Sequence, residues 1–300
     1  MRILLTGGSG QVGSALLARL QGFGTVMAPD SRAFNLAQPD LLGDALDRIA
    51  PQLIINPAAY TAVDRAEDEP EIATAVNATA PGIIARWARL HDAPLVHFST
   101  DYVFSGLEEQ PWCEDHEAKP LSTYGKTKLA GERAIQAAGG CHVILRTSWV
   151  YAAQGRNFLC TISRLAQERK ELRIVADQVG APTPASLIAD EVTTIVGRGI
   201  DYLRRFCTDV NGLVHLTASG QTSWYGFACS VVEGLRARGI DLDVENIVPI
   251  RTDEYPTRAR RPRNSRLDLS RWRRVSGHSP ANWETALAPV LDQLACRFRS

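Results

Sequence analysis

Short apolar runs alternate with longer stretches of helical periodicity through the first half of the chain. Runs rich in β-branched residues or leucine predict strands, and apolar residues recurring every three or four positions predict helices. The predicted strands are residues 2–6, 25–28, 53–56, 95–99 and 142–147, and the predicted helices are 12–21, 39–49 and 72–90. Strands that are apolar almost throughout indicate a parallel sheet covered on both faces. The predicted fold class is therefore α/β, a Rossmann-type doubly wound sheet.

The pattern becomes less regular after about residue 150. A proline-containing segment at 180–184 is followed by a strand candidate at 213–217 and a helix candidate at 224–238. We expect residues 1–150 to form a dinucleotide-binding domain. Residues 151–300 are expected to form mainly a smaller, partly interleaved α/β substrate lobe, with some segments returning to the first domain.

Composition and charge exclude several classes of partner. Lys plus Arg and Asp plus Glu both number 33, so no net charge draws the chain to nucleic acid or to an anionic membrane. The six cysteines are scattered, without a C-x-x-C pair or a zinc-like Cys/His spacing. No signal-peptide pattern and no run of 18 apolar residues occurs. We expect a cytoplasmic protein with free thiols.

A glycine-rich segment, T-G-G-S-G-Q-V-G at residues 6–13, directly follows the first predicted strand and leads into a helix. Glycines allow the backbone to approach a pyrophosphate closely, and the amides of a helix N-terminus favour its negative charge. The alternative is a plain glycine turn. The residues predicted to bind a dinucleotide here are Gly7, Gly10, Gln11, Val12 and Gly13.

The end of the second strand is expected to meet the adenosine ribose of the cofactor. Asp30 can accept hydrogen bonds from ribose hydroxyls, whereas Ser31 and Arg32 can hold a 2′-phosphate. These residues indicate NADPH as the cofactor with NADH also usable, and a solvated turn is the alternative for Arg32.

A tyrosine and a lysine, Tyr124 and Lys128, are spaced i and i+4 on a predicted helix that Ser122 or Thr123 caps. A nearby ammonium favours the phenolate, which brings the tyrosine closer to the working pH of a proton donor. Thr100, at the end of the fourth strand, can orient the substrate oxygen and the phenol. Without this context, such a pair is usually two surface residues.

Several segments together resemble the dTDP-4-dehydrorhamnose reductase family, and the likeness covers nearly the whole chain. The specific ones are Ser-Thr-Asp-Tyr-Val-Phe at residues 99–104, Asp-Gln-Val-Gly-Ala-Pro-Thr at 177–183 and Arg-Arg-Pro-Arg-Asn-Ser at 260–265. Three further segments also match: 56–64, 124–128 with Tyr124 and Lys128, and 146–151. The resemblance implies hydride transfer from NAD(P)H to the C4 ketone of dTDP-4-dehydro-L-rhamnose.

The resemblance also implies roles for individual residues. Thr100, Tyr124 and Lys128 would form the catalytic triad, with Tyr124 and Lys128 also touching the cofactor. The residues expected along the dinucleotide are Ala58, Ala59 and Tyr60, and those expected at the sugar are Val63, Asp101, Tyr102 and Trp149. A flat indole can cover an apolar sugar face. Core packing is the alternative for Trp149.

Two departures from the family pattern concern the first helix and the adenine end. Some members carry an acidic residue on the first helix that helps to hold magnesium at a dimer interface. Residues 12–16 contain no carboxylate, so we expect no metal requirement, and the chain to be a monomer or a homodimer. Asn35 stands where many relatives have Asp.

An arginine-rich stretch contains Arg258, Arg260, Arg261, Arg263 and Arg266 in an otherwise neutral protein. Guanidinium groups match the oxygens of a diphosphate, so one or two of these residues are expected to bind it. Arg258 and Arg261 are the candidates. A solvated basic loop is the alternative, and RNA binding is disfavoured because no interleaved aromatics accompany the arginines.

Two rival functions share parts of this pattern. A nucleotide-sugar epimerase or dehydratase has the same glycine turn and Tyr/Lys pair but regenerates its cofactor. A non-catalytic subunit, such as the β subunit of methionine adenosyltransferase, has a similar fold without turnover, and the intact Thr100, Tyr124 and Lys128 argue against it.

Overall fold

A computed structural model describes residues 1–299. The strands are β1 (Arg2–Leu5), β2 (Thr25–Met27), β3 (Leu53–Asn56), β4 (Leu95–Thr100), β5 (His142–Thr147), β6 (Val150–Tyr151), β7 (Glu171–Val175), β8 (Val179–Gly180), β9 (Thr183–Pro184), β10 (Leu213–His215), β11 (Thr222–Ser223) and β12 (Asn246–Ile250). Six of them form a central parallel sheet in the order β10-β5-β4-β3-β1-β2. The predicted α/β class is confirmed.

The helices alternate with these strands. They are α1 (Gln11–Leu20), α2 (Leu42–Ile49), α3 (Pro70–Thr74), α4 (Ala80–Leu90), α5 (Thr123–Ala138), α6 (Phe158–Glu168), α7 (Ala185–Gly197), α8 (Ile200–Asp209), α9 (Trp224–Arg236), α10 (Ser270–Ser276) and α11 (Trp283–Arg299). The predicted helix 72–90 is interrupted by a π turn, Ala75–Thr79, between α3 and α4. No helix among residues 1–299 is long and apolar enough to cross a membrane.

Side chains of alternate parity cover the two faces of the central sheet. In β1, Ile3 and Leu5 pack against α1, α7, α8 and α10, whereas Leu4 packs against α2, α4 and the end of α5. Both faces are therefore apolar, which explains why the strands read as continuous apolar runs. The chain reverses direction across the sheet between β1 and β3, where such folds open a ligand crevice.

A second apolar core lies among α6, α9, α11 and the two-stranded parallel sheet of β7 and β12. Not all of the later chain belongs to it. Helices α7, α8 and α10 pack on the first core, and β10 is an edge strand of the central sheet. The strand candidate at 213–217 thus lies in the first core, and the division of the chain at residue 150 stays a prediction.

Candidate active site

The glycine turn after β1 has a backbone that other residues would not fit. Gly7 has a φ of +58°, and a Cβ on Gly13 would lie 1.9 Å from the carbonyl oxygen of Gly7. Helix α1 begins at Gln11 without a side-chain cap at Gly10, so its first amides are available to an anion. Val12 packs on the core, and Gln11 accepts a hydrogen bond from Asn157 at 2.9 Å.

The turn after β2 is built around Asp30. One oxygen of its carboxylate accepts hydrogen bonds from the backbone amides of Arg32 and Ala33, both at 2.9 Å. The Ser31 and Arg32 side chains are exposed beside it. The turn therefore presents a hydroxyl and a guanidinium to solvent, and their role at a 2′-phosphate stays a prediction.

The loop after β3 lies against the glycine turn and is held by Asn77, a buried residue of the π turn. Asn77 accepts from the amide of Tyr60 at 2.9 Å and donates to its carbonyl at 3.1 Å. Ala58 packs directly beneath Gly7. The Tyr60 hydroxyl donates to Glu69, so this phenol is engaged within the protein. Nothing in the sequence pattern pointed to Asn77.

Helix α5 brings Tyr124 to Thr100 at the end of β4. Ser122 caps the helix by accepting from the amide of Gly125 at 3.2 Å. A Cβ on Gly125 would lie 2.2 Å from the carbonyl oxygen of Tyr102, so glycine here allows the close approach of helix and loop. The Tyr124 phenol hydrogen-bonds with the Thr100 hydroxyl, which lowers its pKa, but burial raises the pKa of Tyr124 well above the usual range.

Lys128 faces β4 and not the phenol. Its Nζ donates to the carbonyl oxygen of Phe98 at 2.6 Å and lies 3.3 Å from Nε2 of His97. Burial lowers the pKa of Lys128 to about 8, and the carboxylate of Glu132 opposes that shift. The expected lowering of the Tyr124 pKa by Lys128 is therefore not found in this structure, because desolvation dominates the phenol and the amine is turned to the sheet.

Three of the four residues expected at the sugar, Val63, Asp101 and Tyr102, lie near Tyr124 and Thr100. Val63 and Tyr102 pack with Tyr124 in one cluster, and the rings of Tyr102 and Tyr124 meet edge to face at 5.5 Å between centroids. Asp101 is only 2% exposed and accepts from the Thr100 hydroxyl at 3.0 Å. Burial raises the pKa of Asp101 to about 6, with the Ser265 and Thr100 hydroxyls lowering it. Asp101 thus orients the Thr100 hydroxyl by accepting its hydrogen bond.

A cavity of about 760 Å³ opens beside Tyr102 and extends into the second lobe. Trp149 and Trp224 line it as a stacked pair, 3.5 Å between centroids and 10° between planes. A Cβ on Gly180 would lie 2.6 Å from the Trp149 ring, so this glycine leaves room for the indole. Of these two residues, the sequence predicts only Trp149 at the site. Trp224 comes 75 positions later, and no local signal linked the two residues.

The two arginine candidates are placed differently. Arg261 lines the cavity and donates to Asp64 at 3.0 Å. Arg258 pairs with Asp68 on the exposed surface and is not among the cavity-lining residues. The structure therefore brings Arg261 to the site and leaves Arg258 outside it. Two cationic residues of the cavity wall, Arg169 and Arg173, lie outside the arginine-rich stretch and were missed.

Among residues 1–299, no group of three or more His, Cys, Asp or Glu side chains lies close enough together to hold a metal ion. The absence of a magnesium requirement stays a prediction.

Comparisons with known proteins place these features in a family. A sequence model described as the RmlD substrate binding domain matches residues 1–296. The dTDP-4-dehydrorhamnose reductase of Escherichia coli strain K12 is 42% identical over 298 residues, 98% of each chain. The chain belongs to the dTDP-4-dehydrorhamnose reductase family. The predicted family resemblance is confirmed, and with it the assignment to the NAD(P)-dependent oxidoreductases.

Solved structures of the family agree in fold over their whole length. A dTDP-4-dehydrorhamnose reductase from Clostridium acetobutylicum superposes with a TM-score of 0.89 at 33% identity, covering 98% of this chain and 99% of that one. The enzyme from Bacillus anthracis, solved in complex with NADP, gives 0.87 at 31% identity and covers 97% and 99%. The likeness therefore includes both the central sheet and the second lobe.

Proposed function

We propose that this chain reduces the C4 ketone of dTDP-4-dehydro-L-rhamnose to dTDP-L-rhamnose with NADPH, the last step of dTDP-L-rhamnose synthesis. The observation that carries the proposal is the Thr100–Tyr124 hydroxyl pair: Tyr124 packs in one cluster with Tyr60, from the loop against the glycine turn, and with Tyr102, which lines the cavity. A proton donor there meets both a bound dinucleotide and a ligand in the cavity. The family membership of the chain supports the choice of substrate.

The residues around the glycine turn fit a dinucleotide. Glycine at positions 7 and 13 lets the turn pack closely on Ala58 and on its own backbone, which places the free amides at the start of α1 for a pyrophosphate. Exposed Ser31 and Arg32 favour a 2′-phosphate and hence NADPH, while Asp30 beside them leaves NADH usable. Ala58, Ala59 and Tyr60 border the same crevice. When bound, the reduced nicotinamide supplies the hydride.

Tyr124 is the proposed proton donor. The Thr100 hydroxyl contacts both the Tyr124 phenol and the Asp101 carboxylate, so it holds the phenol in place at the end of β4. Burial keeps the phenol protonated up to high pH, as a donor to the alkoxide requires. When substrate and cofactor bind, the Thr100 hydroxyl is expected to turn from Asp101 to the substrate oxygen, and the Lys128 amine from Phe98 to the nicotinamide ribose.

The cavity is the proposed site of the dTDP-sugar. The Trp149–Trp224 stack and Tyr102 offer flat apolar surfaces to the deoxysugar or the base, and Val63 packs in the same cluster as Tyr102. Arg261 is the proposed diphosphate ligand because it alone of the two candidates lines the cavity. Asp101 supports Thr100, and its contact with a sugar hydroxyl stays a prediction.

The proposed setting is the cytoplasm, with the chain working as a monomer or a homodimer and without magnesium. All six cysteines are free thiols, as expected in a reducing compartment.

The direct test mixes the purified protein with dTDP-4-dehydro-6-deoxyglucose, the matching 3,5-epimerase and NADPH, and follows the absorbance of the reduced cofactor. Epimerase-dependent oxidation that survives EDTA is the expected result. Copurifying NAD without net oxidation would favour an epimerase or dehydratase. No oxidation with NADPH or NADH, together with capture of a protein partner, would favour a regulatory subunit.

A further inference from the structure

A chain of buried polar side chains crosses the central sheet and ends at Lys128. Thr6 at the end of β1 contacts Asn56 at the end of β3 at 2.5 Å, and Asn56 contacts Nδ1 of His97 in β4 at 3.0 Å. Nε2 of His97 lies 3.3 Å from Nζ of Lys128. Each of the four residues is at most 2% exposed. Water does not reach them, so each hydrogen-bonding group depends on its protein neighbours.

The direction of these hydrogen bonds is set at the Thr6 end. The amide of Ala58 donates to the Thr6 hydroxyl at 3.3 Å, and a backbone N–H can only donate. The Thr6 proton then points to the carbonyl oxygen of the Asn56 side chain, and the Asn56 amide donates to Nδ1 of His97. Reversing the Asn56 amide would leave the buried Thr6 proton facing an NH2 group, without the acceptor that the Asn56 oxygen provides.

The hydrogen bond at Nδ1 of His97 decides which ring nitrogen carries the proton, and so which group faces Lys128. Burial, followed by the nearby Lys128, lowers the pKa of His97 well below its ordinary value, so the ring is neutral and carries one proton. With Nδ1 accepting, that proton is on Nε2 and faces Nζ of Lys128. An ammonium would meet it with a second donor, whereas an uncharged amine accepts it and still donates to Phe98 at the far end.

We propose that His97 is a positioning residue for Lys128: oriented by Asn56 and Thr6, it donates Nε2–H to the lysine amine and favours its uncharged form. The other charged groups near Lys128 are Glu132, one turn further along α5, and Arg146 on β5, which pairs with Glu132 at 2.6 Å. Glu132 opposes His97, and Arg146 offsets part of the Glu132 charge. Burial lowers the pKa of Lys128 to about 8 and Glu132 opposes the shift, so the lysine titrates in a range that a pH series can reach.

This inference rests on the proposed function in one respect. If the reductase needs the positive charge of Lys128 beside the phenol and the ribose, His97 sets the upper pH limit of activity. The charge state of Lys128 itself does not depend on the reaction, so it can be measured without a substrate.

The first experiment is NMR on the full chain labelled with 15N-histidine and with lysine carrying 13C at Cε. The sequence has four lysines, and Lys119, Lys126 and Lys170 are exposed, so they serve as internal references. Lys128→Arg identifies the fourth signal, and His97→Asn identifies the imidazole. We expect a proton on Nε2 of His97 and a Lys128 midpoint well below those of the other three. A proton on Nδ1 would overturn the proposal.

Two variants then separate positioning from packing. His97→Gln puts an amide near the Nε2 position, where its oxygen can accept from an ammonium, and is expected to raise the Lys128 midpoint by about one pH unit or more. His97→Asn keeps the contact with Asn56 and places nothing at Lys128, so its shift is expected to be smaller. An unchanged or lowered midpoint in His97→Gln contradicts the proposal.

The pH profile of kcat/KM supplies the readout for the reaction. In His97→Gln the basic limb is expected to move up together with the Lys128 midpoint, and a limb that does not follow contradicts the role in turnover. A wild-type protein without ketosugar reduction would remove the proposed function, while the two NMR measurements would still decide the hydrogen-bond direction.

Discussion

The glycine turn and the aromatic cavity are assembled from very different distances along the chain, although Tyr124 packs with a residue near each, Tyr60 and Tyr102. The turn takes its shape from residues 7–13, within one strand-to-helix connection. The cavity combines Tyr102, Trp149, Trp224 and Arg261, which come from four separate segments. The first region is therefore specified by local backbone conformation, and the second only by the packing of the lobe that carries it.

The same contrast exists inside helix α5. Tyr124 and Lys128 are one turn apart, yet the phenol reaches Thr100 and the amine reaches Phe98 and His97. Helical spacing puts two side chains on one face, but the groups that surround each of them decide where it points and how it titrates.

The largest effect is expected where the two regions meet. Tyr124→Phe removes the proton donor without changing the ring packing, so kcat should fall by about a thousandfold or more. Cofactor affinity, measured by fluorescence titration, should stay nearly unchanged. Tyr225→Phe on α9 is the matched control and should leave turnover intact. Near-normal turnover in Tyr124→Phe would remove the proposed role.

The next effect concerns stability at the same junction. An unfolded Asp titrates near a pKa of about 3.9, whereas burial raises the pKa of Asp101 to about 6. Stability from this group is present below the lower pKa and is lost as the pH rises through the higher one. Between about pH 4 and pH 6 this corresponds to a loss of about 3 kcal/mol in unfolding free energy.

Asp101→Asn should remove that part of the pH dependence, which denaturant unfolding at several pH values can measure. An unchanged slope in the variant would show that Asp101 titrates normally in the folded protein.

Within the glycine turn, Gly13→Ala drives a methyl group into the carbonyl oxygen of Gly7 and should weaken NADPH binding by about a hundredfold. Gly22→Ala is the control, because a Cβ there meets no atom within 4 Å. Calorimetric titration of both variants checks the prediction. Equal NADPH affinities in the two variants would mean that the glycine turn is not the pyrophosphate site.

The smallest effect separates two arginines that the sequence places only three positions apart. Arg261→Ala should raise the KM for the dTDP-sugar about tenfold, as loss of a charged hydrogen bond at the cavity does. Arg258→Ala should change KM less than about twofold, since its ion pair with Asp68 is exposed. Steady-state kinetics at saturating NADPH distinguishes them, and the reverse order would place the diphosphate elsewhere.

The sequence by itself determined the sheet, the glycine turn and the pairing of Tyr124 with Thr100. Strand periodicity, the backbone freedom of Gly7 and Gly13 and the position of Thr100 at a strand end are local properties, and local properties can be read along the chain. The tertiary structure alone decided the stacking of Trp224 on Trp149, the support of the Tyr60 loop by Asn77 and the place of Arg261 in the cavity. It also turned Lys128 towards His97. These contacts join residues that are at least 17 positions apart in the sequence, and 75 apart for the two tryptophans. The pKa of a buried group also depends on all the atoms packed around it, which the sequence does not show.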